Sequence, residues 1–255
     1  MKQRNSVAIA IAWTFAFSGA AAAAETHKAG EAHHWGYSGD SAPQNWGTLE
    51  PGFAACSTGK SQSPIDIKSS ATGKHKPVGM AYKAGAAEIV NNGHTIQVDY
   101  KPGSSVTLDG RVYELKQFHF HAPSENTIDG KHFPLEAHLV HQDKGGRLLV
   151  VAVMFNDGAP NPLLASLWKK LPEKEGEKNA LPEALNAIDL LPAEREYYRF
   201  TGSLTTPPCS EGVTWLVVTK PVTASKEQVA AFTKAVGFAN NRPVQPLNGR
   251  KVVVE

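Results

Sequence analysis

"QFHFHAPSENTIDGKHFPLEAHLVH", residues 117–141, holds five histidines in 25 residues and reads as two strands around a polar connection. Side chains alternate between the two faces of a strand, so His119 and His121 share one face while Phe118 and Phe120 share the other. The same arithmetic on "LEAHLVH" sets Glu136, His138 and Val140 against Leu135, Ala137, Leu139 and His141. A turn at Asp129-Gly130 would run the two strands antiparallel and bring His138 to face the first pair.

Three neutral imidazoles meeting at a point suit a catalytic zinc ion, which takes three protein ligands and keeps a fourth position open. A fourth protein ligand would have pointed to a structural metal. Any one of these histidines alone reads as a core residue satisfied by polar neighbours. Two at period two, with a third on the partner strand, favour Zn2+ as the cofactor. His132 near the turn and His141 on the opposite face are not expected to be ligands. Gln117 and Glu136 each share a face with the histidine two residues on, where an amide or carboxylate can orient a metal-bound imidazole. Exposed sheet polarity also accounts for both.

Outward from this stretch, Lys2 and Arg4 precede an apolar run over residues 7–16, and Ala22-Ala23-Ala24 offers a small-residue cleavage pattern. Residues 1–24 therefore read as a secretory signal peptide. No later run reaches the roughly 20 apolar residues of a spanning helix, so residues 25–255 are expected to be soluble and periplasmic or secreted. Without the leader the chain carries 24 basic and 24 acidic residues. That balance argues against a nucleic-acid partner, which normally leaves a basic excess. Cys56 and Cys209 are the only cysteines, and an even pair in an exported chain favours a disulfide over two free thiols.

From Trp35 onward, short β-type runs are broken by Gly, Pro, Asn and Asp: "SPIDI", "AEIVNN", "HTIQVDY", "SSVTLDG", "RVYELKQFHFH", "FPLEAHLVH", "RLLVVAVMF", "YYRFTGSL" and "GVTWLVVTK". This punctuation predicts a sheet-dominated fold. Helical spacing occurs over residues 162–171 and 225–236, the second opened by Ser225 and Gln228 as a capping box, and more weakly over 181–186. The charged stretch "EKEGEK", residues 173–178, reads as a surface loop rather than a linker. No repeat or low-complexity segment divides the chain, so residues 25–255 are expected to form one domain.

"QFHFHAPSEN", "PLEAHLVH", "NNGHTIQV", "GSLTTPPCSEGVTW" and "NNRPVQPLNGR" together resemble the α-class carbonic anhydrases. The leader and the two cysteines resemble their bacterial exported branch. The likeness runs from "HHWGY" near residue 33 almost to the C-terminus. It implies a mainly β, single-domain fold, built on a large twisted, mostly antiparallel sheet with short peripheral helices. It also implies that His119, His121 and His138 hold zinc and that Gln117, Glu136 and the backbone carbonyl of Asn240 orient them, in a conical cleft. The implied reaction is the reversible hydration of carbon dioxide to bicarbonate and a proton, by attack of hydroxide formed at zinc.

Further roles come with the resemblance. Thr205 matches a gatekeeper that accepts a hydrogen bond from the hydroxide and donates its own proton to Glu125. A hydroxyl has one proton to give, so a carboxylate partner leaves only its lone pairs toward the metal. Val140, Val150, Leu204 and Trp215 match the apolar seat for carbon dioxide, and Thr206 matches a bicarbonate contact. His94 matches a proton shuttle, a task suited to an unperturbed pKa of about 6.5, with Tyr37, Asn92 and Gln97 ordering water between it and zinc. Without the match, a lone loop histidine reads as solvent decoration. Inhibitory anions or sulfonamides are implied ligands, and the protomer is expected as a monomer or homodimer.

Two departures stand out. Ala122-Pro123 follows the ligand pair where animal members usually have Trp-Gly, and Phe200 replaces a frequent tyrosine, removing a hydroxyl from a network that would include Ser63 and Ser203. Two competing readings are a catalytically inactive carbonic-anhydrase-like binding protein, expected to have lost a zinc histidine, and a zinc-dependent esterase.

Overall fold

The protein is described here as a computed structural model over residues 35–74, 78–182 and 184–255; the signal peptide expected over residues 1–24 lies outside them. Each stretch read as a strand carries one. Arg111–His121 and Leu135–Gln142 pair antiparallel, with His119 directly opposite His138 and His121 opposite Glu136. Asp129 and Gly130, at φ 50° and 76°, close a tight turn between Ile128 and Lys131, a left-handed geometry that glycine adopts freely and aspartate tolerates.

These two strands lie in the middle of a 12-stranded sheet. On one side follow Ile96–Tyr100, Ala86–Asn91 and the edge strand Lys178–Ala180; on the other follow Leu148–Asp157, Glu211–Val218, Tyr197–Ser203 and Val253–Val254. Pairing is antiparallel except where Glu211–Val218 and Val222–Ala224 run parallel to Leu148–Asp157. A separate parallel pair joins Asp66–Ile67 to Thr127–Ile128. The expected mostly antiparallel sheet is therefore present, with parallel joints beside Leu148–Asp157.

Period-two alternation divides the sheet into two differently used faces. Phe118, Phe120, Leu135, Ala137 and Leu139 pack on one face with Leu163, Leu164, Leu167 and Phe232 from two helices. Burying each large side chain of this kind contributes about 1.5–3 kcal/mol. On the opposite face, Val150, Ala152, Met154, Phe200 and Trp215 form a second apolar cluster, beside which the histidines project. Between the two histidine strands, strict alternation fails at one place. The register shifts between Leu115 and Gln117, and this bulge lets Tyr113 and Leu115 join Phe118 and Phe120 in the same core.

The helix Lys226–Val236 has the expected capping box, Ser225 with Gln228, and ends at Gly237 with φ 87°. The helix Pro162–Trp168 is capped by Asn161. It stops short of residue 171 because Lys170 and Leu171 turn through tighter bonds to Leu167 and Trp168, just before Pro172. The helix expected over residues 181–186 is not present among the described residues. Leu181 N donates to Ala87 O at 3.0 Å and Leu185 O accepts from Gly85 N at 3.1 Å, so these backbone groups extend the sheet edge instead. Asn186 then caps a 3-10 turn, Ala187–Leu190. Residues 173–177 form an exposed loop, and Lys178, expected to belong to it, already opens the edge strand.

Candidate active site

His119, His121 and His138 each offer a ring nitrogen within 4.8 Å of the others. What makes the cluster fit a metal is the commitment of the outer nitrogens. His119 Nδ1 donates to Gln117 Oε1 at 2.7 Å, and His121 Nδ1 donates to the Asn240 carbonyl at 2.7 Å. Both partners are acceptors only, so the proton is on Nδ1 and the lone pair on Nε2. His138 is reversed. Its Nε2 lies 3.0 Å from Glu136 Oε1, close although poorly aligned for a hydrogen bond, which leaves Nδ1 as the inner atom. Nε2 of His121 is buried with no hydrogen-bond partner among the described residues.

Burial pushes all three imidazoles below the ordinary histidine range. Neighbouring imidazoles add to this at His119 and His138, while the Asn240 carbonyl and the Glu136 charge oppose it at His121. The rings are therefore neutral, as metal ligands must be. Glu136 is itself fixed by three donors: its Oε2 accepts from Glu125 N and Asn126 N at 2.7 and 3.0 Å, and its Oε1 from Asn126 Nδ2 at 2.8 Å.

Glu125 is fully buried, and burial pushes its carboxyl well above the usual range, against the Arg242 amide and the Thr205 hydroxyl. Oε1 accepts from Arg242 N at 2.9 Å, whereas Oε2 has no hydrogen-bond partner among the described residues. Thr205 is buried on a loop closed by Leu204 N to Ser210 O at 3.0 Å and Cys209 N to Thr206 O at 2.8 Å. The expected Cys56–Cys209 disulfide is present, with an S–S distance of 2.05 Å, and anchors that loop.

A cleft of about 130 Å³ opens over the histidines. Tyr37, Asn92, His94, Gln97, Thr206 and Trp35 line it together with His119 and His121. His94 stacks on Trp35 with centroids 3.7 Å apart and planes at 9°. Asn92 also shapes the loop, its Oδ1 accepting from His94 N at 3.0 Å and Thr95 N at 2.9 Å, and Gln97 donates to Asp99 at 2.6 Å. Val150 and Trp215 are buried in the second apolar cluster, with Val140 and Leu204 partly buried against it; none of the four lines the cleft, but Trp215 meets the His138 ring at 4.9 Å. A larger groove, about 740 Å³ beside Arg111 and Asp143, shares no lining residue with this cleft. Size alone does not mark the site.

The family model described as eukaryotic-type carbonic anhydrase matches residues 41–255. The chain belongs to the α-carbonic anhydrase family. A carbonic anhydrase of Pectobacterium carotovorum is 48% identical over 255 residues, covering 99% of this chain and 100% of that one. One of Neisseria gonorrhoeae is 50% identical over 221 residues, covering 86% and 87%. The solved α-carbonic anhydrase of Thermovibrio ammonificans, in complex with the inhibitor sulfanilamide, matches at a TM-score of 0.85 and 52% identity, over 88% of this chain and 100% of that chain.

As a carbonic anhydrase the chain is an enzyme, and its departures from the family pattern are absorbed locally. Phe200 stacks on Trp215 with centroids 6.0 Å apart, and Ser63 and Ser203 bond each other without a hydroxyl at position 200, at 2.9 and 3.2 Å. Ala122 and Pro123 border a shallow apolar groove with Phe238. Sequence reasoning missed Trp35, Asn126 and Arg242. Trp35 and Arg242 lie inside quoted motifs, but nothing local marks a tryptophan as a stacking partner or an arginine as buried. Asn240 also does more than expected, since its Nδ2 donates to His94 O and Phe120 O at 3.1 and 2.9 Å.

Proposed function

We propose that this chain is an exported zinc enzyme, with residues 25–255 as its catalytic domain, that interconverts carbon dioxide with bicarbonate and a proton. The observation that carries this reading is the set of three neutral imidazoles, His121 and His138 buried and His119 partly so, whose outer nitrogens face oxygen acceptors while the inner ones converge. His119, His121 and His138 would hold the ion, and the all-imidazole donor set suits zinc. Bound there, zinc supplies Lewis-acid activation of water.

The remaining steps belong to the chain's own residues. Val140, Val150, Leu204 and Trp215 seat an apolar substrate. Thr205 gives its proton to Glu125 and turns its lone pairs to the reacting oxygen; the Thr205 hydroxyl beside the carboxylate supports this. Thr206 contacts the product. His94 carries the released proton outward, with Tyr37, Asn92 and Gln97 ordering water along the cleft. Small anions and sulfonamides would bind in the same cleft. The disulfide supports a periplasmic or secreted location.

Stopped-flow hydration in a pH-indicator buffer tests the reading. Hydration far above background is expected from zinc-loaded protein, with loss on chelation and recovery on zinc return. Background rates from zinc-loaded, folded protein would overturn it.

A further inference from the structure

Arg242 is a buried cation that the proposed chemistry does not use. It is 1% exposed, and its three side-chain hydrogen bonds all go to neutral oxygens. Nη1 donates to Gln62 Oε1 at 2.9 Å and Ser63 O at 2.7 Å, and Nη2 donates to Cys56 O at 2.9 Å. The guanidinium also lies 5.7 Å from the Trp46 ring centroid. Burying a guanidinium with no bonded carboxylate is costly, so its retention calls for a purpose.

The geometry supplies one. The Arg242 main-chain amide donates to Glu125 Oε1 at 2.9 Å, and two residues earlier the Asn240 carbonyl holds His121 at 2.7 Å. Residues 240–242 thus aim two groups of the site. Gln62, which accepts from Arg242, donates its Nε2 to Cys209 O at 3.0 Å. One Arg–Gln pair therefore grips the carbonyls of both half-cystines, and Cys209 closes the loop that bears Thr205.

We propose that Arg242 is a positioning residue that fastens residues 240–242 to the Cys56–Cys209 disulfide, so that Glu125 and Thr205 are brought into line by a single braced unit. This rests on the hydration reading above and adds a role for the disulfide beyond stability. Misplacing a reacting group by about 1 Å can cost on the order of 100-fold in rate, so a loosened brace shows in turnover before it shows in the fold.

The test compares full-length mature, zinc-loaded wild type, Arg242→Met, Gln62→Met, the Cys56→Ser/Cys209→Ser pair, and each brace variant combined with that pair. Hydration kcat/KM is measured per zinc-bound, folded molecule, well below each melting temperature. Arg242→Met should lower kcat/KM by about 10-fold and the serine pair by roughly 3-fold, with metal content unchanged, and the combination should be no worse than Arg242→Met alone. Should Arg242→Met fail to fold, Gln62→Met with and without the disulfide gives the same comparison, its loss being expected to absorb that of the serine pair. Multiplicative losses, or unchanged kcat/KM in folded brace variants, would overturn the brace while leaving the hydration reading intact. An inactive wild type would overturn both.

Discussion

His138 and His141 stand on one strand, both with about 1% or less of their surface exposed, and they face opposite ways. His141 points into the apolar face, where both ring nitrogens are used. Its Nδ1 meets the Leu149 carbonyl at 3.2 Å, so that nitrogen carries the proton, and its Nε2 then accepts from Tyr82 Oη at 2.6 Å. His138 points to the other face, with Nε2 toward a carboxylate and Nδ1 toward two more imidazoles. Burial is the same for both. A site is marked by unspent donor capacity converging on one point, not by burial or by a lowered pKa.

The sharpest way to break this comparison is to remove one member. His138→Ala should lose zinc and essentially all hydration, because two imidazoles cannot complete the donor set. Elemental mass spectrometry and stopped-flow assay check it; full zinc occupancy with near-normal rates would sink the assignment. Next in size is the outer partner. Glu136→Gln leaves the imidazoles in place but removes the charge behind His138, and zinc affinity should fall by about 10- to 100-fold, read by competition with a chromophoric chelator.

His94 sharpens the contrast from a third position, at the cleft and away from the cluster. His94→Ala should lower the maximal rate several-fold in weak buffer, leave kcat/KM nearly unchanged, and recover with added imidazole. An unaltered maximal rate at low buffer would remove His94 from proton export. The smallest effect on activity belongs to His141→Gln, which should retain zinc and turnover and differ only in acid stability. Burial lowers the His141 pKa to about 4 in the folded protein, against about 6.5 unfolded. Below pH 6.5 the unfolded chain takes up a proton that the folded one refuses, so this contribution is present above about 6.5 and is lost as pH falls toward 4. Its full size is about 3 kcal/mol. Urea titrations between pH 7 and 4 should therefore fall less steeply for the variant than for wild type, and equal slopes would refute the account.

The same two strands show where local reading stops. Alternation through 117–121 and 135–141 assigned each imidazole to the correct face because the pleat is a property of the strand itself. It did not anticipate the bulge before Gln117, without which Leu115 would share the histidine face; a bulge depends on how two strands must pair, and a single strand carries no sign of it. Residues 181–186 failed for a related reason. Their helical pattern is weak, and the open edge beside Ala86–Asn91 offered the same backbone groups another set of partners.

The sequence by itself determined the three inward imidazoles, the core phenylalanines behind them and the cysteine pair, since these follow from residue type, period and count. The Asn240 carbonyl was legible only through likeness to a family, not through spacing, and the roles proposed for Thr205, Glu125 and His94 rest on that likeness. Tertiary structure alone decided that Arg242 would be buried between Trp46 and the disulfide with its amide on Glu125. Those contacts join residues 117 and 186 positions apart. Partners so distant meet only after the sheet has closed, because a side-chain hydrogen bond is set by where two chain segments arrive and not by what stands next to either in sequence.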